Sequence, residues 1–155
     1  MKYLIALALV VLTVFALRHY MPSLGDSAAG GIIERDGISV LRDCPETPNC
    51  ESSNGRQQSK ATDIFPITLA PKEAIARMAR IIESMPGMTV ERYDERYLHA
   101  TSTSKIMRFV DDIEFLVNQE GDGLYVRSAS RLGKSDLGAN AKRIALLREF
   151  STGKL

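Results

Sequence analysis

Oppositely charged side chains are concentrated between Arg108 and Arg143, in a stretch that reads RFVDDIEFLVNQEGDGLYVRSASRLGKSDLGANAKR. Carboxylates and guanidinium groups at this density can form a fixed network of ion pairs, or they can bind a ligand or partner of opposite charge. The charged candidates are Arg108, Asp111, Asp112, Glu114, Arg127, Arg131, Asp136 and Arg143. The sequence leaves both interpretations open, and it identifies no substrate.

A catalytic use of these residues is the weaker alternative. Asp111 or Asp112 would act as general acid or base, with Arg127 or Arg131 as the electrophile, on a small anionic substrate. Adjacent residues of a strand point to opposite faces of a sheet, which argues against a cooperating aspartate pair. A Ser–His–Asp or Cys–His set is not credible either, because His99 is the only histidine after the N-terminal segment.

The alternation of residue types predicts which charged side chains share a face. A long strand is predicted over 106–118, and a second strand over 124–130 pairs back to it across Gly121-Asp122-Gly123. When the apolar faces of the two strands are matched, one polar face collects five charged residues. These are Arg108, Asp112, Glu114, Arg127 and Arg131.

Asp111 falls on the apolar face of the first of these strands, where an ionised side chain needs a partner. The candidate partners are Arg143 on the last predicted helix and the hydroxyl groups of Ser128 and Ser130. At the start of that helix, Asp136 is the natural N-cap, and it competes with any anion for the first amides.

Local patterns predict an α+β domain. Pro71 opens a helix whose apolar residues recur at three- and four-residue spacing, and Pro86-Gly87 ends it. The predicted strands cover 88–93, 97–103, 106–118 and 124–130, and their short connections require a four-stranded antiparallel meander. A C-terminal helix over 137–150, with Ile144, Leu147 and Phe150 facing inward, packs on this sheet together with the first helix.

The N-terminus predicts export. The apolar run from Tyr3 to Leu17 is about 22 Å long as a helix, whereas the hydrocarbon core of a bilayer is about 30 Å thick. Residues 1–21 fit an uncleaved signal-anchor, with a cleaved signal peptide as the close alternative. We therefore expect membrane contact through residues 3–21, a tether over 22–40 and a single domain over 41–155. The domain would lie in the bacterial periplasm, anchored to the inner membrane or secreted.

Cys44 and Cys50 are the only cysteines of the chain. Two nearby cysteines usually pair in an exported protein, so a disulfide is favoured over a metal site, a redox pair or free thiols, which stay open. No metal or cofactor is expected, because a metal site would need two more ligands. The net charge of +1, the 6% aromatic content and the absence of tryptophan argue against nucleic-acid binding.

Three separated blocks carry a resemblance to a known family. The blocks CPETPNCESS, RFVDDIEF and RSASRLGKSDLGANAKR, in this order and spacing, are similar to those of the bacterial and plastid family called domain of unknown function 1499. The resemblance covers Leu41 to Phe150. The chain departs from it at Glu51, where the family usually has valine, and at Lys134, where the family usually has an aromatic residue.

The resemblance implies an envelope-associated domain and supplies no catalytic residues. Its motif positions are Cys44, Cys50, Asp111, Asp112, Arg127, Ser128, Ser130, Arg131, Asp136 and Asn140. Together with the charge pattern, it favours a non-catalytic, membrane-anchored domain. Such a domain would use its Arg/Asp face to bind an envelope protein or an anionic small molecule.

Overall fold

The computed structural model describes residues 2–55 and 61–155, and in these ranges the chain forms three α-helices and eight β-strands. The helices are α1 (Lys2–Tyr20), α2 (Pro71–Glu83) and α3 (Ala139–Ser151). The strands are β1 (Ile32–Arg35), β2 (Ile38–Leu41), β3 (Cys50–Ser52), β4 (Phe65–Pro66), β5 (Met88–Tyr93), β6 (Tyr97–Thr103), β7 (Val110–Val117) and β8 (Gly123–Ser130). The predicted α+β class is confirmed.

The main sheet has six strands rather than the predicted four. The predicted meander is present as β5-β6-β7-β8, and all its pairings are antiparallel. Two further strands share the other edge of β8, with β3 along its second half and β4 at its start. Strands of three and two residues are too short to leave an alternating pattern in the sequence, which is why they were not predicted.

Strand β7 begins at Val110, four residues later than predicted. Residues 104–109, called the β6–β7 loop below, close on themselves through the amide N–H of Ser104, which donates to the carbonyl oxygen of Phe109 at 2.8 Å. Arg108 has a φ of 61°, in the left-handed region that a strand residue cannot adopt. The apolar content of Ile106, Met107 and Phe109 imitated a strand, although these residues form an exposed loop.

Helices α2 and α3 pack on one face of the main sheet, called the helix face below. The apolar stripe predicted for α2 is buried there, with Ile75, Met78 and Ile82 fully inaccessible. It meets inward residues of the meander such as Phe115, whose ring contacts that of Phe65 edge to face. Each fully buried side chain of this size contributes about 1.5–3 kcal/mol, so this layer supplies most of the core.

Helix α3 begins two residues after the predicted start. Leu137 and Gly138 have φ values of 53° and 77°, which no helical turn allows. Ile144 and Leu147 are buried as predicted, but the prediction for Phe150 is wrong, because its side chain is 45% exposed. The buried stripe of α3 continues from Leu147 to Ser151, and Phe150 lies about 100° around the helix from Ser151.

The opposite face of the main sheet, called the hairpin face below, is covered by the segment expected to be a tether. Strands β1 and β2 pair around Asp36-Gly37, whose positive φ values of 52° and 77° are typical of a tight hairpin turn. Leu41 of β2 packs on Tyr97 and Leu116. Glycines of this segment allow the turn at Gly37 and the close approach of Gly30 and Gly31 to the sheet.

Helix α1 has no buried residue, and Lys2–Ser23 is long and apolar enough to cross a membrane by length and composition. A signal sequence passes the same test. Cys44 and Cys50 form a disulfide, which suggests an oxidising compartment. Their sulfur atoms pack against Ala129 of β8, beside the short strand β3.

Candidate functional site

Asp112 and Glu114 of β7 point to the hairpin face and are completely buried. A buried carboxylate is tolerated only where hydrogen bonds and opposite charges replace the water it loses. The pairing of β7 with β8 supplies one of these opposite charges, because Glu114 lies directly opposite Arg127 on β8. The predicted alternation of charged faces on β7 and β8 is therefore found in the structure for these residues.

Four described residues donate to Asp112. Arg131 binds it twice, from Nε to Oδ2 at 2.8 Å and from Nη2 to Oδ1 at 2.9 Å. His99 Nε2 lies 2.7 Å from Oδ1, and Ala28 N–H and Ser27 Oγ complete the set at 2.7 and 3.2 Å. Burial would raise the pKa of Asp112, but hydrogen bonds from His99, Arg131 and Ala28 outweigh it and hold the pKa well below its ordinary value.

Glu114 is held in a similar way. The amides of Gly30 and Gly31 donate to Oε2 and Oε1 at 2.9 and 2.7 Å. The Tyr97 hydroxyl donates to Oε1 at 2.6 Å, and Arg127 Nη1 donates to Oε2 at 3.1 Å. A side chain at Gly30 would crowd the neighbouring hairpin, since an added Cβ would lie 2.5 Å from a side-chain carbon of Arg42.

The two carboxylates thus hold residues 27–31, called the covering segment below, against the sheet. Arg127 strengthens this by donating from Nη1 to the carbonyl oxygen of Ala28 at 2.5 Å. The face that the sequence offered as a binding surface is therefore occupied by the same chain. Arg127 Nε remains buried without a hydrogen-bond partner among the described residues, so the pair with Glu114 is not fully satisfied.

Burial and the charge of Glu114 both raise the pKa of the Tyr97 phenol above its ordinary value of 10.0. The unfolded chain therefore releases this proton first as the pH rises, and stability that is present below pH 10.0 is lost above it. We expect Tyr97→Phe to cost about 1–3 kcal/mol near neutral pH, because Glu114 loses a donor. In urea titrations the difference from wild type should stay constant up to about pH 9 and shrink as the pH rises past 10.0.

Tyr93→Phe is the matched control for this titration, because the Tyr93 side chain is 53% exposed. Its unfolding curves should run parallel to those of wild type at every pH. A Tyr97→Phe difference that stays constant up to pH 11 would contradict the raised pKa.

A second polar cluster lies on the helix face, under the start of α3. Arg143 Nη2 donates to Asp111 Oδ2 at 2.5 Å, and Arg143 is one of the candidate partners that the sequence offered for that carboxylate. Arg143 Nη1 also donates to Ser128 Oγ at 3.1 Å and to Asn140 Oδ1 at 2.6 Å. Asn140, fully buried, donates from Nδ2 to the carbonyl oxygen of Asn49 at 3.0 Å. The cluster joins β7, β8, α3 and the loop between Cys44 and Cys50.

An open cleft of about 270 Å³ lies above this cluster, between the β6–β7 loop and the start of α3. Its lining combines apolar side chains with hydroxyl and charged groups. The lining residues are Ser104, Phe109, Asp111, Ser130, Leu132, Gly133, Ser135, Asp136, Ala139 and Arg143. Of the described cavities, this one contains the largest share of the predicted site residues.

Three serines of the cleft accept hydrogen bonds from the protein and keep their own hydrogens. Ser104 Oγ accepts from Phe109 N–H, Ser130 Oγ from Asn140 Nδ2, and Ser135 Oγ from Leu137 N–H. Within the described ranges none of these hydroxyls has an acceptor of its own. Each can therefore donate to an oxygen of a bound molecule.

Asp136 stabilises the turn that leads into α3, so its carboxylate is not free to bind a ligand. Its carboxylate accepts the amides of Gly138 at 3.1 Å and Asn140 at 2.7 Å. Burial would raise the pKa of Asp136, but these backbone bonds prevail and lower it. The prediction that Asp136 is the N-cap is wrong, because α3 begins at Ala139 and its N-cap is Gly138. Asp136 lies two residues earlier and still accepts an amide of the first turn, that of Asn140.

The structure divides the predicted site residues between two faces. Asp112, Glu114, Arg127 and Arg131 lie on the hairpin face; Asp111, Ser128, Ser130, Asp136, Asn140 and Arg143 lie on the helix face. Arg108 joins neither group, because the β6–β7 loop carries it towards α1. Asp111 and Asp112 are separated by the sheet, and Asp112 is enclosed by its donors, so the two do not form an acid–base pair.

Several contributing residues were missed. The covering segment acts through backbone amides, which leave no residue-type signal beyond its small residues. Tyr97 and His99 were assigned only as strand residues, although their two-residue spacing places both on the face that carries Asp112 and Glu114. Asn49 is not among the predicted site residues, yet its Nδ2 donates to the carbonyl oxygen of Gly133 at 2.8 Å beside the cleft.

These features define an α+β domain with a six-stranded antiparallel sheet, two helices on one face, and a buried ion-pair lattice closed by its own chain on the other. The chain belongs to the family described as protein of unknown function DUF1499, which matches residues 40–150. The three blocks that carried the resemblance lie within this match, so the predicted membership is confirmed. No curated protein and no solved structure matches the chain.

Proposed function

We propose that this protein is a non-catalytic domain of the bacterial envelope, anchored in the inner membrane by α1, that binds a small molecule in the cleft beside α3. The unburied apolar helix supports anchoring, and the Cys44–Cys50 disulfide supports a periplasmic location of the domain. Binding is supported chiefly by three serine hydroxyls around one cleft, whose hydrogens have no acceptor among the described residues.

The chemistry of the lining narrows the ligand class. Phe109, Leu132 and Ala139 provide an apolar side, while the serine hydroxyls donate to acceptor oxygens. The charge of Asp111 is already balanced by Arg143. A small amphiphile with carbonyl, carboxylate or phosphate oxygens fits this lining, and a highly charged anion does not, because Asp136 would repel it.

This proposal places ligand binding in the cleft, whereas the sequence favoured binding on the Arg/Asp face. Arg127 and Arg131 are engaged with Glu114 and Asp112, so neither offers its charge to an external anion without breaking a buried pair. Catalysis is the less supported alternative, because the electrophiles it would require are on the other side of the sheet from Asp111.

Native mass spectrometry of the full chain, extracted gently from its own membrane, tests the cleft. We expect a reproducible small-molecule adduct on wild type that falls at least about tenfold in Ala139→Leu, because the added side chain fills the cleft. Ala141→Leu is the matched control, since it makes the same change on an exposed position of the same helix that lines a separate cavity.

The comparison has two outcomes that contradict the proposal. One is a wild-type protein that carries no adduct under conditions that preserve its fold. The other is an adduct that survives Ala139→Leu as fully as Ala141→Leu, which would place the ligand elsewhere.

A further inference from the structure

We propose that the end of α1 and the β6–β7 loop together bind the headgroup of an anionic phospholipid. The site is a groove of about 220 Å³ lined by Phe15, Arg18, His19, Pro22 and Arg108. It lies outside the cleft described above and outside the charged lattice. The inference rests on the proposed anchoring by α1, since that anchoring brings the groove to the membrane surface.

The loop is tied to α1 at the level of the bilayer surface. Arg18 Nη1 donates to the carbonyl oxygens of Lys105 at 2.7 Å and Ile106 at 2.9 Å. Helix α1 has 19 residues and is therefore about 28 Å long, close to the thickness of the hydrocarbon core. Arg18 lies in its last turn, so the loop that it binds has the same depth as the headgroups.

The loop has the composition of a segment that enters this interface. Ile106 is 75% exposed, and Met107 and Phe109 are 39% and 40% exposed, which leaves three large apolar side chains adjacent along one loop. Such a cluster is unfavourable in water and favourable at the boundary between headgroups and acyl chains. Its attachment to an apolar helix end indicates that the membrane is what covers it.

The charges of the groove fit a phosphate diester. Arg18, His19 and Arg108 line it together with Phe15 and Pro22, and none of the described lining residues is acidic. The side chain of Arg108 has no acceptor in the described part of the chain. Arg18 uses only Nη1 on the loop carbonyls and keeps further N–H groups for phosphate oxygens. Phe15, one turn before Arg18, supplies an apolar wall for the adjoining acyl chain.

The same loop lines the cleft on its other side through Ser104 and Phe109. A lipid-bound loop would therefore hold one wall of the ligand cleft at the membrane surface. This arrangement suits the amphiphilic ligand class inferred above, because such molecules partition into membranes.

Depth measurements on the full chain test the contact. A fluorophore that responds to polarity is attached at Ile106→Cys, with Leu146→Cys on the outer surface of α3 as the matched control, since Leu146 is 43% exposed. The native cysteines are bonded to each other and do not react. In nanodiscs we expect a blue-shifted emission and quenching by lipid-borne quenchers at 106 but not at 146. A water-like signal at 106 overturns the proposal.

Lipid retention tests the charge selectivity. Nanodiscs contain equal parts of phosphatidylcholine and phosphatidylglycerol, and native mass spectrometry counts the lipids that stay bound. We expect Arg108→Gln to reduce bound phosphatidylglycerol about fivefold, as the loss of one basic residue near an anionic surface implies. Lys142→Gln, an exposed change on α3, should retain the wild-type amount. Equal retention by both variants overturns the assignment of the groove.

Alkaline carbonate extraction separates this inference from the anchoring on which it rests. If the wild-type chain is released from membranes, both the anchoring and the lipid site fail. If the chain stays in the membrane while position 106 is in water, only the lipid site fails.

Discussion

Replacing Arg127 with alanine is expected to lower the free energy of unfolding by about 3–5 kcal/mol, because it leaves a buried carboxylate without its opposite charge. Glu114 is inaccessible to solvent and would keep only the neutral donors of Tyr97, Gly30 and Gly31. The carbonyl oxygen of Ala28 would also lose its donor. The cost is large because neither group can recover its hydration without opening the hairpin face.

Urea unfolding of the full chain in detergent, followed by circular dichroism, measures this effect as a shift of the midpoint. Arg80→Ala is the matched control, because Arg80 is exposed on α2 and its loss should change stability by no more than about 0.5 kcal/mol. Arg127→Ala curves that overlay those of the control would show that the pair with Glu114 does not stabilise the fold.

Replacing Asp112 with asparagine is expected to release the covering segment. The amide keeps the shape of the carboxylate but loses its charge, and its NH₂ group faces donors where an acceptor is needed. Arg131, His99 and Ala28 then compete for one oxygen. We expect a loss of about 3–5 kcal/mol, because the change breaks a buried pair.

Hydrogen exchange distinguishes this release from general loosening. The amide of Ala28, which donates to Asp112, should lose protection in Asp112→Asn before Gly31, which donates to Glu114. Asp26→Asn makes the same chemical change on an exposed neighbouring residue and should leave both amides protected. Unchanged protection of Ala28 in Asp112→Asn would refute the role given to this carboxylate.

Arg131→Ala should lower the free energy of unfolding less than Arg127→Ala or Asp112→Asn. Its side chain is 19% exposed, and it leaves Asp112 with His99, Ala28 and Ser27 as donors. Partial hydration of the pair reduces the cost of breaking it. The loss of stability should therefore be larger for Asp112→Asn than for Arg131→Ala.

The buried ion pairs depend on residues that lie outside the family match. The match covers 40–150, yet Asp112 and Glu114 are satisfied by amides at Ala28, Gly30 and Gly31. The segment between α1 and the domain is therefore part of the folded unit. Its attachment fixes the direction in which the chain leaves the sheet towards α1.

Local sequence patterns were enough to predict helix α2, the four meander strands, the apolar helix α1 and the pairing of charged faces on β7 and β8. These depend on periodicities of two and 3.6 residues, which are local properties of a strand or helix. A strand or helix can bury one face only if its apolar residues recur at this spacing, so the pattern is visible within a short stretch of sequence. The need of Asp111 for a partner was predictable for the same reason, but the choice of Arg143 over the hydroxyls of Ser128 and Ser130 was not.

The identity of the groups that occupy the charged face could not be predicted, because it depends on contacts between distant parts of the chain. The groups that fill it are backbone amides of Ala28, Gly30 and Gly31, more than 80 residues from the carboxylates they bind. Every residue type except proline has a backbone N–H, so no pattern in the sequence indicates which of them will bind Asp112 or Glu114. The position of Arg108 was decided in the same way. A left-handed backbone and the contact of Arg18 with the β6–β7 loop turn it away from the strand.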